Sequence, residues 1–103
     1  MTILVNTDNQ IEGKEELNTY ITTLFNEKLA RFNAHLTRVE VHLSDENAGK
    51  AGSNDKNCNI EARLEGFDPI FVSAQSDDIS AAIHDALQKI KRAIEHQLDK
   101  VKG

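Results

Sequence analysis

The segment Arg38-Val39-Glu40-Val41-His42-Leu43-Ser44 decides the fold. Polar and apolar residues alternate along it, the two-residue period of a strand with one face buried and one in water. Val39, Val41 and Leu43 point one way; Arg38, Glu40, His42 and Ser44 point the other. A half-solvated strand belongs in an antiparallel sheet rather than in a parallel one covered on both faces. The period returns downstream, with Cys58, Ile60, Ala62 and Leu64 inward and Asn59, Glu61, Arg63 and Glu65 outward. A simple hairpin register sets Glu40 opposite Arg63 and Arg38 opposite Glu65, pairing opposite charges across the two strands. Between the runs, Glu46 to Asn57 contains Gly49, Gly52, Ser53, Asn54 and Asp55, which is loop composition. Gly66-Phe67-Asp68-Pro69 marks a turn, and Ile70-Phe71-Val72-Ser73-Ala74 is a further strand whose parity puts Phe71 on the face opposite Ile70 and Val72.

Working outward, the period changes to that of a helix. Leu17, Ile21, Leu24, Phe25, Leu29, Phe32 and Leu36 recur at three- and four-residue steps from Lys14 onward and make one apolar face. Gly13 is the expected N-cap; Glu15 and Glu16 suit the positive end of the helix dipole, and Lys28, Arg31 and His35 the negative end. Ile3-Leu4-Val5 reads as a short buried strand ended by Asn6-Thr7-Asp8-Asn9. At the other end, Ile79, Ile83, Ala86, Leu87, Ile90, Ile94, Leu98 and Val101 form the stripe of a long helix, with Ser76 as expected N-cap and Asp77 and Asp78 in its first turn. The order is β-α-β-β-β-α. It predicts an α+β fold, a two-layer sandwich with a four-stranded, mostly antiparallel sheet and two helices on one face.

At 103 residues, 39% of them hydrophobic, one domain spanning 1–103 is expected. One cysteine, Cys58, excludes an internal disulfide and a Cys-based zinc cluster. The first residues show no signal peptide, and no stretch approaches the roughly 20 apolar residues of a membrane span. The expectation is a cytoplasmic protein without membrane contact.

No phosphate-binding glycine loop, Gly-x-Ser-x-Gly or His-Glu-x-x-His occurs. His35, His42, His84 and His96 are not spaced as metal ligands, and Cys58 falls on an inward strand position, that of a structural thiol. The carboxylate pairs Asp45-Glu46 and Asp77-Asp78 read as a strand end and a helix start. A thin two-layer domain also offers little room for the cleft that acid–base chemistry needs. These features predict no catalysis, no metal, no cofactor and no small-molecule substrate.

What remains is charge. The net charge is −5, yet the segments 28–38 and 86–103 each carry +3, leaving −11 elsewhere. An acidic molecule can hold a local positive field. Lys89, Arg92, His96 and Lys100 stand 3, 4 and 4 residues apart, one stripe of the last helix away from its apolar face. Such a stripe suits the phosphates of folded RNA.

Several segments carry a resemblance. Residues 38–47 (Arg38-Val39-Glu40-Val41-His42-Leu43-Ser44-Asp45-Glu46-Asn47), Asn59-Ile60-Glu61-Ala62-Arg63, and the apolar ladder from Ala82 to Ile90 followed by Lys-x-x-Arg at Lys89 and Arg92 resemble the ribosome hibernation-promoting factor and ribosome-associated inhibitor family, also called sigma-54 modulation proteins. The likeness covers nearly the whole chain and rests on the order and spacing of these segments. It implies a bacterial stress-response factor that binds the small ribosomal subunit, through 16S rRNA, between head and body. There it would block the messenger RNA and transfer RNA sites and silence translation. It implies that the family's helix cations fall on Lys28, Arg31, Lys89 and Arg92, with His96 where a lysine is usual. Together with the charge pattern, the residues expected on RNA are Lys28, Arg31, Arg38, Lys89, Arg92, His96 and Lys100. The chain resembles the family's short form, expected to be a monomer on the ribosome. The alternative is a protein-interaction module on the same fold, docking a partner through the exposed sheet face (Glu40, His42, Glu61, Arg63, Phe71) or the long loop.

Overall fold

Alternation along the chain yields strands and the three- and four-residue steps yield helices. The computed structural model describes residues 1–8, 11–45 and 55–102, with side chains described up to residue 100. The elements are β1 (Thr2–Thr7), α1 (Lys14–Lys28), a 3-10 turn (Ala30–Phe32), β2 (Leu36–Asp45), β3 (Lys56–Leu64), β4 (Ile70–Ser76) and α2 (Ile79–Lys102). The four strands form one sheet in the order β1-β2-β3-β4, with β1 parallel to β2 and the other pairs antiparallel. This is the α+β sandwich the sequence predicts. The middle of the predicted loop, residues 46–54, lies outside the described residues, as do Asn9 and the side chains of Val101 and Lys102.

The helices share one face of the sheet, α1 over β1 and α2 over β3 and β4. Ile21, Phe25 and Leu29 meet Val39, Val41, Ile60, Ile83, Ile90 and Ile94 in a single core, all at most 1% exposed. Each buried aliphatic side chain contributes about 1.5–3 kcal/mol, so this cluster dominates what holds the layers together. Cys58 lies in the same core, and burial pushes its thiol up to about 12.

Four sequence expectations need correction. The hairpin register is offset by two residues from the simplest one: Arg38 pairs with Arg63 and Glu40 with Glu61. An offset of two keeps every side chain on its own face, so alternation alone cannot detect it. The observed register stacks Val39 on Ala62, Val41 on Ile60 and Leu43 on Cys58. Like charges then face each other across the strands and are neutralised along them, Arg38 by Glu40 and Arg63 Nε by Glu61 at 2.7 Å. The pairing shifts once between Leu36 and Arg38, and Thr37 in the irregularity donates its hydroxyl to the Arg63 carbonyl at 3.1 Å.

Secondly, β1 is not fully buried. Ile3 and Val5 lean on the core while Leu4 is 39% exposed, because an edge strand of a half-covered sheet keeps one face in water. Thirdly, the apolar steps run on to Leu36 but α1 stops at Lys28. Leu29 leaves the helix at φ −106°, a 3-10 turn follows, and Leu36 opens β2. Leu29, Phe32 and Leu36 reach the core from either backbone form, so their spacing concealed the turn. Lastly, α2 is capped by Asp78 rather than Ser76. The Asp78 carboxylate accepts the Ala81 N–H at 3.1 Å, while Ser76 ends β4 and its hydroxyl accepts the Asp78 N–H at 3.2 Å. Gly13 does precede α1, at φ 69°, a left-handed conformation natural to glycine.

Candidate nucleic-acid interface

The outer surface of the helix layer is built by how α1 and α2 lie against each other. Two side-chain bridges join them. The Tyr20 hydroxyl and His84 Nε2 are hydrogen-bonded at 2.7 Å, and the Arg31 guanidinium, just past α1, donates to the Glu95 carboxylate. Both bridges connect residues 64 apart in sequence, so the helices run side by side in the same direction and in constant register. Seven residues after Tyr20 and His84, Glu27 and Lys91 return to the same two flanks, whereas Lys28, seven after Ile21, leaves the end of α1 on the side of its apolar face.

Lys28 and Arg92 are exposed, and among the described residues neither has a carboxylate within ion-pair distance. They are two open cations of the helix layer. Arg92 sits on the crest of α2; Asp85 and Asp99, seven residues to either side, share that crest and confine the positive zone to about two turns on each side of it.

The remaining predicted residues divide. Lys89 is exposed but leans over the open edge of the sheet, its ammonium donating to the Ser73 carbonyl of β4 at 2.7 Å. His96 and Lys100, seven and eleven residues further on, lie along the same flank and are exposed. Arg31 borders the zone from the α1 side, its charge engaged by Glu95, its carbon Cζ 4.6 Å above the centre of the Phe32 ring. Arg38 is not with them. It projects from the uncovered sheet face, where Glu40 neutralises it. Its place in a positive run of sequence gave no hint of this, but its parity in β2 did: it alternates with Val39 and Val41, which face the helices.

Four participants escaped the sequence reading. Tyr20 and His84 clamp the helices, and Glu95 engages one of the expected cations. Lys91, half-buried and level with Glu27, adds charge at the seam. Each sits on the flank of its helix between the apolar face and the crest. Only the relative register of the two helices brings such positions together.

The uncovered sheet face is different in kind. Leu4, Glu40, Glu61 and Phe71 form one row across all four strands, and Phe71 is 69% exposed. His42 stands beside this row, 3.8 Å from Glu40.

Residues 4–102 match the family model described as sigma 54 modulation protein / S30EA ribosomal protein. Among solved structures, the Protein Y N-terminal domain from Thermus thermophilus superposes with a TM-score of 0.68 at 23% identity, covering 93% of this chain and 98% of that one. A ribosomal subunit interface protein from Coxiella burnetii superposes with a TM-score of 0.61 at 19% identity, covering 99% of this chain and 98% of that one. At these identities the likeness is one of fold. No curated protein sequence gives a match. With a family match over nearly its whole length on a fold of the expected order, the chain belongs to the sigma 54 modulation protein / S30EA ribosomal protein family, a family of ribosome-associated factors.

Proposed function

We propose that this protein silences translation by binding the small ribosomal subunit between head and body, its helix layer against 16S rRNA, where it blocks the messenger RNA and transfer RNA sites. It acts by occupancy, as a single domain in the cytoplasm, without cofactor or chemistry. The observation that carries the reading is that Lys28 and Arg92, one on each helix, are exposed and unopposed by any carboxylate among the described residues. A phosphate groove can neutralise such a pair at little cost, since no internal ion pair has to break first. His96 and Lys100 extend the contact along α2, and Arg31 borders it. Family membership supports the ribosomal partner.

The test is co-sedimentation with small subunits over a salt series. Affinity should fall steeply with salt, and Lys28→Glu plus Arg92→Glu should lower the slope of log affinity against log salt by roughly 2, about one for each lost phosphate contact. Unchanged sedimentation of the double variant would remove the helix layer from the interface.

The row Leu4–Glu40–Glu61–Phe71 favours a second reading, in which the open sheet face docks a protein. Capture of ribosomes that survives nuclease treatment and is lost in Phe71→Ala would favour that reading over the first.

A further inference from the structure

At the end of the helix layer the chain leaves an open pocket of about 430 Å³ beside Arg31. Its apolar lining is Phe32, Phe67 and Leu98; Arg31, His35, Glu95 and Asp99 supply the polar groups. That volume lies in the range of small-ligand sites. Two contacts hold Arg31: its Cζ lies 4.6 Å from the centre of the Phe32 ring, and the Glu95 carboxylate accepts a hydrogen bond from its guanidinium. The Arg31 side chain nevertheless remains 60% exposed. A guanidinium held over an aromatic ring, with surface still open, can serve as a stacking platform for a base.

The charges of the pocket oppose its use as a phosphate site. Two carboxylates, Glu95 and Asp99, answer one guanidinium. Carboxylates only accept hydrogen bonds. They therefore select a ligand edge that donates, such as the exocyclic amino group of a nucleobase.

We propose that this pocket receives one unstacked nucleobase of the bound RNA, with the base lying on the Arg31 guanidinium and its amino group donating to Glu95 or Asp99. The inference rests on the RNA-binding reading of the helix layer and extends it from phosphate contact to base selection. It accounts for carboxylates placed inside a surface that otherwise meets a polyanion. Cytosine fits the requirement; uracil, of the same size, presents an oxygen where cytosine carries its amino group.

Hexamers of cytidine and of uridine test the pocket, because they carry equal numbers of phosphates and differ in the base edge. The cytidine hexamer should bind at least about fivefold more tightly. It should also shift the NMR signals of Phe32, Phe67 and Leu98, which the uridine hexamer should leave in place. Arg31→Lys keeps the charge and removes the planar guanidinium, so it should reduce cytidine binding to the uridine level while the thermal unfolding midpoint stays unchanged. Equal affinity for the two hexamers, no binding of either, or a cytidine preference that persists in Arg31→Lys overturns the assignment. Small-subunit sedimentation of the same protein separates the two levels: if it is intact without a base preference, the ribosome reading stands and the pocket reading falls.

Discussion

The open face of the sheet and the outer face of the helix layer both carry arginine and glutamate, and they use them in opposite ways. On the sheet, Arg38 and Arg63 are neutralised along their own strands by Glu40 and Glu61. On the helices, Lys28 and Arg92 are exposed with no carboxylate partner among the described residues. The difference follows from backbone geometry. In a strand, residues two apart share a face and lie close enough to pair. In a helix, same-face neighbours come three or four residues apart, and Arg92 has Gln88, Lys89, Glu95 and His96 at those positions. Of these only Glu95 is acidic, and Arg31 from the other helix engages it. Counting charges therefore says little about where a polyanion binds; what matters is which cations the fold leaves without a partner.

The largest expected effect breaks this comparison directly. Lys28→Glu plus Arg92→Glu should weaken binding to small subunits by roughly a hundredfold at low salt, whereas Arg38→Glu should change it less than twofold. Equal losses from both surfaces, measured by sedimentation, would mean that the sheet face touches RNA as well.

A change in the core between the two surfaces separates stability from affinity. Cys58→Ser puts a hydroxyl among apolar neighbours and should cost about 1–3 kcal/mol in denaturant unfolding, with small-subunit affinity preserved under native conditions. The thiol also sets a pH dependence. The unfolded chain ionises it from an ordinary value near 9.0, whereas in the fold it resists up to about 12. The native state then holds more protons on this thiol than the unfolded one across that window, so its contribution to stability should be constant below about pH 9 and fall as pH rises above it. In Cys58→Ser this part of the alkaline loss should disappear. Lys56 adds an effect of the same direction. Its hydrogen bond to Asp45 raises its pKa above the ordinary 10.5, so that pair's contribution is complete below that value and fades at higher pH.

Asp78→Ala removes the cap of the helix that carries Arg92 and should lower stability by about 1 kcal/mol without altering the salt slope of binding. A changed slope would tie the orientation of α2 to the contact itself. The smallest effect belongs to the sheet face: Glu61→Gln should shift the unfolding free energy by less than about 0.5 kcal/mol, since an exposed pair on a strand contributes little.

Much of this molecule was legible in its residue order. Alternation in 38–44 and 58–64 identified two strands and their buried sides, and the stripe through Ile83, Ile90 and Ile94 identified α2. A buried face imposes its period whatever lies opposite. Parity also placed Phe71 outward and Cys58 inward, as the structure has them. The boundaries were less legible. The apolar series into Leu36 hid the end of α1, and Asp78 displaced Ser76 as the cap because β4 runs two residues further than its apolar pattern.

Pairing between distant segments was decided by the tertiary structure alone. A register offset by two residues leaves every side chain on its own face, so only the packing of Val41 on Ile60 could choose it. The shared offset of 64 that joins Tyr20 to His84 and Arg31 to Glu95 arises because both helices rest on one sheet. Local sequence specifies which way a residue faces. Which residue it then meets depends on how the layers settle to fill a common core, a property of the whole chain.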